Sequence, residues 1–161
     1  MKIYIASSWK NRAAVEMLAD LLTKDGNDVY CFTRHADNIE QEVLAGTYSF
    51  DKWVMSPSGE AKFDADLDAV HNADLMVYLG PAGTDAWAEV GAAWAFSIPI
   101  IGILAKGEPA GLMRRMVDAW YEDYTDVLFT CQRYQKAPDL LSHVVMSRHD
   151  DEPPVPVTSE G

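Results

Sequence analysis

The fold predicted for this chain is decided by residues 75–104, which run LMVYLGPAGTDAWAEVGAAWAFSIPIIGIL. An apolar run at 75–79 leads through a glycine-containing turn into an alanine-rich segment at 85–96, and a second apolar run follows at 98–104. Short apolar runs without polar alternation are typical of strands that are buried on both faces of a parallel sheet. The stretch therefore predicts a strand, a helix and a second strand.

The same alternation continues on both sides of this unit. The pattern predicts strands at 2–6, 28–32 and 127–131, and helices at 12–24, 60–73, 109–120 and 138–145. Segment 33–59 lacks clear periodicity and predicts a long functional loop that contains a short helix. Because right-handed crossovers join parallel strands, we expect an α/β fold with a doubly wound, mostly parallel five-stranded sheet. The expected strand order is 2-1-3-4-5, as in flavodoxin-like and Rossmann-like proteins, with helices on both faces.

Length and composition indicate one domain with a short tail. The chain has 161 residues, of which 48% are hydrophobic and 24% are charged, which is typical of a single soluble domain. We assign this domain to residues 1–149. The acidic, proline-rich segment 150–161 is expected to be a flexible tail.

The charge of the chain excludes several classes of partner. Thirteen lysines and arginines against 25 aspartates and glutamates give a formal net charge of -12, which repels nucleic acid polymers and anionic membranes. The weakly polar run at 86–105 contains Glu89 and is interrupted at Pro99, so it predicts a buried helix and strand rather than a membrane span. The first residues predict a strand instead of a secretion signal, and we therefore expect a cytoplasmic protein.

Neither a metal nor a cofactor is expected. The four histidines are scattered, and none has a partner at a ligand spacing. The chain contains neither a phosphate-binding G-x-x-x-x-G-K-S/T loop nor a G-x-G-x-x-G dinucleotide fingerprint. Cys31 and Cys131 lie in or beside apolar runs, which favours two buried, reduced thiols over a disulfide.

Glu89 is the residue that most clearly indicates chemistry. It is the only charged residue between Asp85 and Lys106, on a predicted helix of mainly small and apolar residues. Burial of an unpaired carboxylate is costly, so such a group is usually paired, protonated or functional. The alternative is a structural carboxylate held by backbone donors or by a partner subunit. We expect Glu89 to be catalytic.

Two further carboxylates are candidates for the same site. On a helical plot of residues 63–74, Asp66 falls inside the apolar arc of the helix. Its alternative role is a cap or an ion pair near the helix start. Asp85 lies one turn before Glu89 and is expected to cap the helix N-terminus or, alternatively, to share the pocket with Glu89.

Ligand-binding residues are expected at the carboxyl ends of the strands, since ligands of doubly wound sheets bind there. The corresponding loops are 7–12, 80–85 and 105–109. In the first loop, Ser7, Ser8 and Lys10 supply hydroxyl groups and a cation at a helix N-terminus, where a phosphate or a sugar hydroxyl could bind. Ser8 as an ordinary N-cap, with a solvated Lys10, is the alternative.

Three segments carry a resemblance to a known family. They are KIYIASSWKN at 2–11, FDADL at 63–67 and PAGTDAWAEVGAA at 81–93. Together they resemble the nucleoside 2-deoxyribosyltransferase superfamily, which also contains nucleoside 5′-monophosphate N-glycosidases. The resemblance spans about residues 2–120, and its most specific element is the Glu-Val-Gly-Ala-Ala helix that follows a glycine-containing loop.

The resemblance implies roles for several of these residues. Glu89 holds the position of the family's nucleophile, and Asp66 matches an aspartate that orients the sugar and supports protonation of the leaving base. Loop residues after the first strand contact sugar, base or phosphate in that family. This implies substrate binding by Tyr4, Ser8 and Lys10.

The chain departs from the family around Gly83. Deoxyribosyltransferases tend to have an acidic residue at this position, and the monophosphate glycosidases have a serine. We therefore expect Gly83 and Thr84 to line the substrate site, with Thr84 or Asp85 in place of the missing side chain.

The resemblance implies an enzyme that cleaves or transfers at the N-glycosidic bond of a (deoxy)nucleoside or nucleoside 5′-monophosphate. The expected partner is this small molecule, and the expected assembly is a homo-oligomer. Two alternatives stay open. One is a non-catalytic protein that senses a nucleotide with the same pocket, and the other is a glycohydrolase that acts on a dinucleotide such as NAD.

Overall fold

The computed structural model describes residues 1–109 and 111–150. Its strands are β1 (Lys2–Ala6), β2 (Asp28–Cys31), β3 (Leu75–Leu79), β4 (Ile100–Ile103) and β5 (Ala119–Tyr121). Its α-helices are α1 (Arg12–Lys24), α2 (Asn38–Leu44), α3 (Phe50–Val54), α4 (Pro57–His71), α5 (Thr84–Ala95), α6 (Tyr124–Lys136) and α7 (Asp139–Asp150). Short 3-10 helices lie at Trp9–Asn11, Phe32–Arg34 and Leu112–Met116.

The strands form one parallel sheet in the order β2-β1-β3-β4-β5, which confirms the predicted α/β topology. Ile5 of β1 pairs with Cys31 of β2 on one side and with Val77 of β3 on the other. The direction of winding reverses between β1 and β3, so the loops that leave these strands diverge and open a crevice. The fold therefore offers a ligand site above β1 and β3.

Helices cover both faces of the sheet. On one face, Leu18 of α1 and Val127 of α6 belong to a buried aliphatic cluster. On the other face, Val70 of α4 and Val90 of α5 belong to a second cluster. Full burial of an aliphatic side chain contributes roughly 1.5–3 kcal/mol, so these contacts hold α4 and α5 firmly against the crevice.

The first helix begins and ends at the predicted residues. Ser8 precedes it and accepts a hydrogen bond from the Lys10 backbone N–H at 3.3 Å, which makes Ser8 the cap of the short 3-10 helix. Gly26 follows α1 with φ of +84°, a left-handed conformation that favours glycine at a helix end.

The helix predicted at 109–120 is wrong. A 3-10 helix occupies Leu112–Met116, and the chain then extends into β5, which pairs with β4 through Ala119 and Ile101. A strand of three residues is too short for its periodicity to be recognised in a sequence.

The strand predicted at 127–131 is also wrong, since these residues lie in α6. Asp123 caps this helix by accepting a hydrogen bond from the Thr125 backbone N–H at 2.7 Å. The buried residues Val127 and Cys131 are one helical turn apart, on the face that packs against the sheet. A short apolar run at one end of a helix is difficult to distinguish from a buried strand.

Segment 33–59 is more regular than a long loop with one short helix. It contains α2, α3 and the start of α4. Asp37 accepts a hydrogen bond from the Glu40 backbone N–H at 2.7 Å, and Ser56 accepts one from the Gly59 backbone N–H at 3.2 Å. The helices α2 and α4 therefore have side-chain N-caps. Together with α3 they form one wall of the crevice.

The cysteines, the apolar helices and the possible metal ligands were checked against the predictions made from the sequence, within residues 1–109 and 111–150. Cys31 and Cys131 are buried free thiols, as expected. No helix within residues 1–109 and 111–150 is both long and apolar enough to cross a membrane. The same residues contain no group of three histidine, cysteine, aspartate or glutamate side chains that could hold a metal ion. Beyond Asp150, the predicted tail at 150–161 lies outside the described residues.

Candidate active site

A cleft with two connected chambers lies where the loops after β1 and β3 diverge. The larger one, which we call the apolar chamber, has a volume of about 790 Å³ and is lined by Phe50, Trp53, Val54, Gly59, Glu60, Lys62, Phe63, Asp66, Leu67, Val70, Asp85, Ala88, Glu89 and Ala92. The smaller one has a volume of about 310 Å³, and we call it the polar chamber because hydroxyl, ammonium and carboxyl groups lie among its mainly apolar walls. It is lined by Ser7, Ser8, Trp9, Lys10, Phe32, Glu40, Val43, Leu44, Phe50, Trp53, Lys62, Asp66, Gly83, Thr84, Asp85, Ala86 and Glu89. Both volumes are typical of sites for small molecules.

Glu89 lies at the junction of the two chambers and lines both. Ala86, Val90 and Ala93 turn one face of α5 onto the sheet, and the adjacent face carries Glu89 toward α4. Its Oε2 atom is buried and has no hydrogen-bond partner among the described residues. Glu89 is therefore an acidic group that the fold places in the cleft without a direct partner for one oxygen.

The surroundings of Glu89 favour its protonated form. Burial raises the pKa of the Glu89 carboxyl to about 8, because a charged group loses hydration in an apolar environment. The Tyr4 hydroxyl and the Lys62 ammonium lower this pKa, while Asp66 and Asp85 raise it. The carboxyl group is thus poised to lose or gain a proton close to neutral pH.

Tyr4, which was predicted to bind substrate, lines neither chamber. Its side chain is fully buried in β1, and its hydroxyl is close enough to Glu89 to affect the pKa of that carboxyl. The geometry nevertheless completes no hydrogen bond from this hydroxyl to any described residue. Burial and the nearby carboxylates raise the pKa of Tyr4, so its phenol is a neutral donor.

Asp66 lies in the cleft as an ion-paired carboxylate. Lys62, one turn earlier on α4, places its Nζ 2.5 Å from Oδ1 and 2.6 Å from Oδ2 of Asp66. The Tyr30 hydroxyl donates a further hydrogen bond to Oδ1 at 2.8 Å. Asp66 therefore lines the cleft and also forms an ion pair, and it does so well inside α4 rather than near its start.

Asp85 does not have its predicted role as a helix cap. Gly83 occupies the N-cap position of α5, with no side-chain hydrogen bond, and Asp85 lies in the first helical turn. Asp85 is exposed and lines both chambers, so the alternative position, in the pocket beside Glu89, is the one that the structure has. A carboxylate in the first turn also interacts favourably with the helix dipole.

The loop after β1 lines the polar chamber, but two of its side chains have structural hydrogen bonds. Ser7 donates to the Leu79 carbonyl oxygen at 2.6 Å and accepts from Asn11 Nδ2 at 3.1 Å. Ser8 is occupied as the cap of the 3-10 helix. Lys10 is exposed and lines the polar chamber, where it could reach a bound ligand.

Of the two remaining loops that were predicted to bind ligand, one lines the cleft and the other does not. Gly83 and Thr84, at the start of α5, line the polar chamber together with the loop after β1. The loop at 105–109, which follows β4, lines neither chamber. It lies beyond the point at which the winding reverses, and its Glu108 instead accepts a hydrogen bond from the Tyr78 hydroxyl.

Several residues of the cleft were not identified in the sequence as members of the site. They are Glu40, which lines the polar chamber, Lys62, which lines both chambers, and Tyr30, which lines neither but donates a hydrogen bond to Asp66. Phe50 and Trp53 also line both chambers, and they belong to the segment that was predicted to be a functional loop. Lys62 and Asp66 are four residues apart on one helix, a spacing that predicts an ion pair. That spacing could have identified Lys62. The position of Glu40, in contrast, depends on how α2 packs against α3 and α4.

The fold and cleft define a doubly wound α/β protein with a carboxyl-lined site at the switch point of its sheet. Among solved structures, the chain is similar to a 2-deoxyribosyltransferase from the psychrotolerant bacterium Bacillus psychrosaccharolyticus, with a TM-score of 0.62 and 21% identity over 79% of this chain and 90% of that chain. It is also similar to a CMP N-glycosidase from Clostridium botulinum, with a TM-score of 0.53 and 17% identity over 81% of this chain and 97% of that chain. At these identities the similarity establishes a common fold. No family model and no curated protein matches the chain.

Proposed function

We propose that this protein is an enzyme that cleaves or transfers at the N-glycosidic bond of a (deoxy)nucleoside or nucleoside 5′-monophosphate. The observation that carries this proposal is the position of Glu89, a half-buried residue with a buried, unpartnered Oε2 atom that lines both the apolar and the polar chamber. The two solved structures with the same fold are described as a 2-deoxyribosyltransferase and a CMP N-glycosidase, which supports the same class of reaction for this chain.

The chemistry of the chambers supports one orientation of the substrate. The apolar chamber has aromatic and aliphatic walls, including Phe50 and Trp53, against which a flat base can stack. The polar chamber offers hydroxyl, ammonium and carboxyl groups that suit a sugar. With the base in the first and the sugar in the second, the bond that joins them lies at Glu89.

In this orientation Glu89 acts as the nucleophile. Its ionised carboxylate attacks C1′ of the sugar through an oxocarbenium-like transition state, and the bonding electrons of the N-glycosidic bond leave with the base. A proton then neutralises the departing base. The glycosyl-enzyme ester is resolved by water, which gives hydrolysis, or by the nitrogen of a second base, which gives transfer.

Other residues in and beneath the cleft support this chemistry in the proposal. The Tyr4 hydroxyl faces Glu89 and stabilises its ionised form by lowering its pKa. Asp66, held by Lys62, orients the sugar and stabilises the positive charge that develops at C1′. Asp85 at the cleft wall assists the leaving base, and the remaining loop residues Ser7, Ser8, Lys10, Gly83 and Thr84 contact the sugar.

The experiment that tests this function is a panel assay with two readouts. Nucleosides, their 5′-monophosphates and NAD are each incubated with the protein, with and without an acceptor base, and released bases are separated by chromatography. The shift in melting temperature is recorded for each compound. We expect Glu89→Gln to reduce base release by at least about 10³-fold, because it removes the nucleophile, while Glu122→Gln, an exposed control, leaves base release unchanged.

The two readouts separate the alternatives. A melting shift without release of any base would identify a nucleotide-sensing protein, and release of nicotinamide alone would identify an NAD glycohydrolase. Undiminished turnover by Glu89→Gln would remove Glu89 from the role of nucleophile even if bases are released.

A further inference from the structure

Glu40 is a buried carboxyl group that the mechanism above does not use. It lies on α2, and it is the one buried residue of that short helix. Its exposed fraction is 4%, and its Oε2 atom has no hydrogen-bond partner among the described residues. Because an unpartnered buried polar group costs about 1–3 kcal/mol, its position needs a reason.

The ordinary structural role of a glutamate at this position is not fulfilled. Asp37 is the N-cap of α2 and Glu40 is the third helical residue, which is the spacing of a capping box. Asp37 Oδ1 accepts a hydrogen bond from the Glu40 backbone N–H at 2.7 Å, so half of the box is formed. The Glu40 carboxyl does not return to the Asp37 N–H in the described structure; it lines the polar chamber instead.

The groups around Glu40 define what can bind beside it. Burial raises the pKa of the Glu40 carboxyl; Asp66 and Asp37 also raise it, while Lys62 and the Trp9 side chain act in the opposite direction. Lys62 is already ion-paired with Asp66, which leaves Glu40 without a cation of its own within the described contacts. A ligand group at this position is therefore expected to be a hydrogen-bond donor.

The polar chamber as a whole also favours a ligand group that donates hydrogen bonds. Its lining includes the carboxyl groups of Glu40, Asp66, Asp85 and Glu89, against the ammonium groups of Lys10 and Lys62. A phosphate dianion would enter a small space of about 310 Å³ in which acidic groups outnumber basic ones. A sugar hydroxyl brings no charge and can donate a hydrogen bond to a carboxyl oxygen.

We propose that Glu40 is a specificity-determining residue, which accepts a hydrogen bond from a sugar hydroxyl and makes the site prefer a nucleoside to the corresponding 5′-monophosphate. This inference rests on the proposed function for the placement of the sugar in the polar chamber. It narrows the substrate class to nucleosides without a 5′-phosphate.

The test compares one nucleoside with its own 5′-monophosphate in wild type, Glu40→Gln and Glu42→Gln. Glu42 lies on the same helix, is exposed and lines neither chamber, so its variant controls for the loss of an acidic residue from α2. The nucleoside is the one that wild type cleaves fastest or, without cleavage, the one that raises the melting temperature most. kcat and KM are measured by base release, and melting shifts are measured in parallel.

We expect wild type to have a kcat/KM at least about tenfold higher for the nucleoside than for the monophosphate. Glu40→Gln is expected to raise KM for the nucleoside about tenfold with little change in kcat, and to narrow the preference by a similar factor. Glu42→Gln is expected to match wild type. If Glu40→Gln does not fold, Glu40→Asp keeps the charge with a shorter reach, and it should raise KM for the nucleoside while still excluding the monophosphate.

The outcomes separate this inference from the proposed function. If wild type releases base and the preference is the same in Glu40→Gln, or if wild type prefers the monophosphate, the assignment of Glu40 is overturned alone. If no base is released but Glu40→Gln changes the ratio of the two melting shifts, the proposed function is overturned and the assignment of Glu40 stands. If no compound shifts the melting temperature and none is cleaved, both are overturned.

Discussion

The two helices that face each other across the cleft carry carboxyl groups in opposite environments. On α5, Glu89 is half-buried at the junction of the chambers, and its buried Oε2 atom has no hydrogen-bond partner among the described residues. On α4, Asp66 has Lys62 on both carboxylate oxygens and the Tyr30 hydroxyl on one of them. The same functional group is thus unpaired on one wall and held by three hydrogen bonds on the other.

This difference indicates a division of labour. An unpaired carboxyl in an apolar setting has a raised pKa and an oxygen that is available for bond formation. A carboxylate fixed by a lysine and a tyrosine has a constant position and charge, which suits it to orient a sugar and to stabilise positive charge. The contrast can be tested by pH, by removal of the lysine and by the stability of a Glu89 variant.

The largest effect is expected from pH. In the proposed mechanism only the ionised form of Glu89 attacks C1′, so kcat/KM should rise as pH increases toward the pKa of about 8 and level off above it. At pH 6, about 1% of the carboxyl is ionised, which predicts activity roughly 100-fold below the plateau. Initial rates at low substrate concentration between pH 5.5 and 9.5 give this profile.

The opposite slope would contradict the nucleophilic role. Activity that falls above pH 8 would mean that the protonated form of Glu89 is required, and Glu89 would then act as a general acid.

The central fold could be predicted from the sequence because its signals are local and strong. The apolar runs at 2–6 and 75–79 coincide with β1 and β3, and the helix at 12–24 has the predicted bounds. The predictions failed where an element was short or where a cap overrode the apolar pattern. The strand β5 was missed because it has only three residues. The helix α6, which Asp123 caps, was mistaken for a strand because of its apolar run.

The candidate site shows the same limit. Glu89 and Asp66 were identifiable because each is a charged residue on an apolar helix face, a contrast that is visible within a single element. Glu40 enters the cleft, and Tyr30 reaches Asp66, only through packing between elements that are distant in sequence, and such long-range contacts leave no periodicity in the sequence.

Removal of the lysine is expected to give the second largest effect. Lys62→Met leaves Asp66 without its cation and removes a charge that lowers the pKa of Glu89. We expect kcat/KM at pH 7 to fall about tenfold, with the rise in activity displaced to higher pH. The pH profile of the variant is the measurement that checks this.

The control is Lys52→Met, because Lys52 is exposed on α3 and lines neither chamber. An activity loss in Lys62→Met without displacement of the pH profile would assign Lys62 a purely structural role.

The last prediction concerns the free energy of unfolding and not the activity. Glu89 has a pKa of about 8 in the folded state against 4.5 as its ordinary value, so the folded protein retains a proton between these pH values. The free energy of unfolding of wild type should therefore decrease as pH rises from about 5 to 8. Glu89→Gln should lack the contribution of Glu89 to this decrease. Relative to wild type, we expect the free energy of unfolding of the variant to gain on the order of 4 kcal/mol, or about 10 °C in Tm, between pH 5 and pH 8.5.

Thermal unfolding of wild type and Glu89→Gln at pH 5 and pH 8.5 measures this change. An effect of the glutamine amide that does not depend on pH cancels when the two pH values are compared. An unchanged difference between pH 5 and pH 8.5 would show that Glu89 ionises in the folded protein as it does in water.

The amide of Asn11 ties together the two loops between which the cleft opens. Its Nδ2 donates to the Ser7 hydroxyl at 3.1 Å, in the loop after β1, and to the Pro81 carbonyl oxygen at 2.7 Å, in the loop after β3. These loops are therefore preorganised, and the entropy of ordering them is lost during folding rather than during ligand capture. Any closure around a substrate must then come from the other wall of the cleft, where the short helices α2 and α3 pack against each other and against α4.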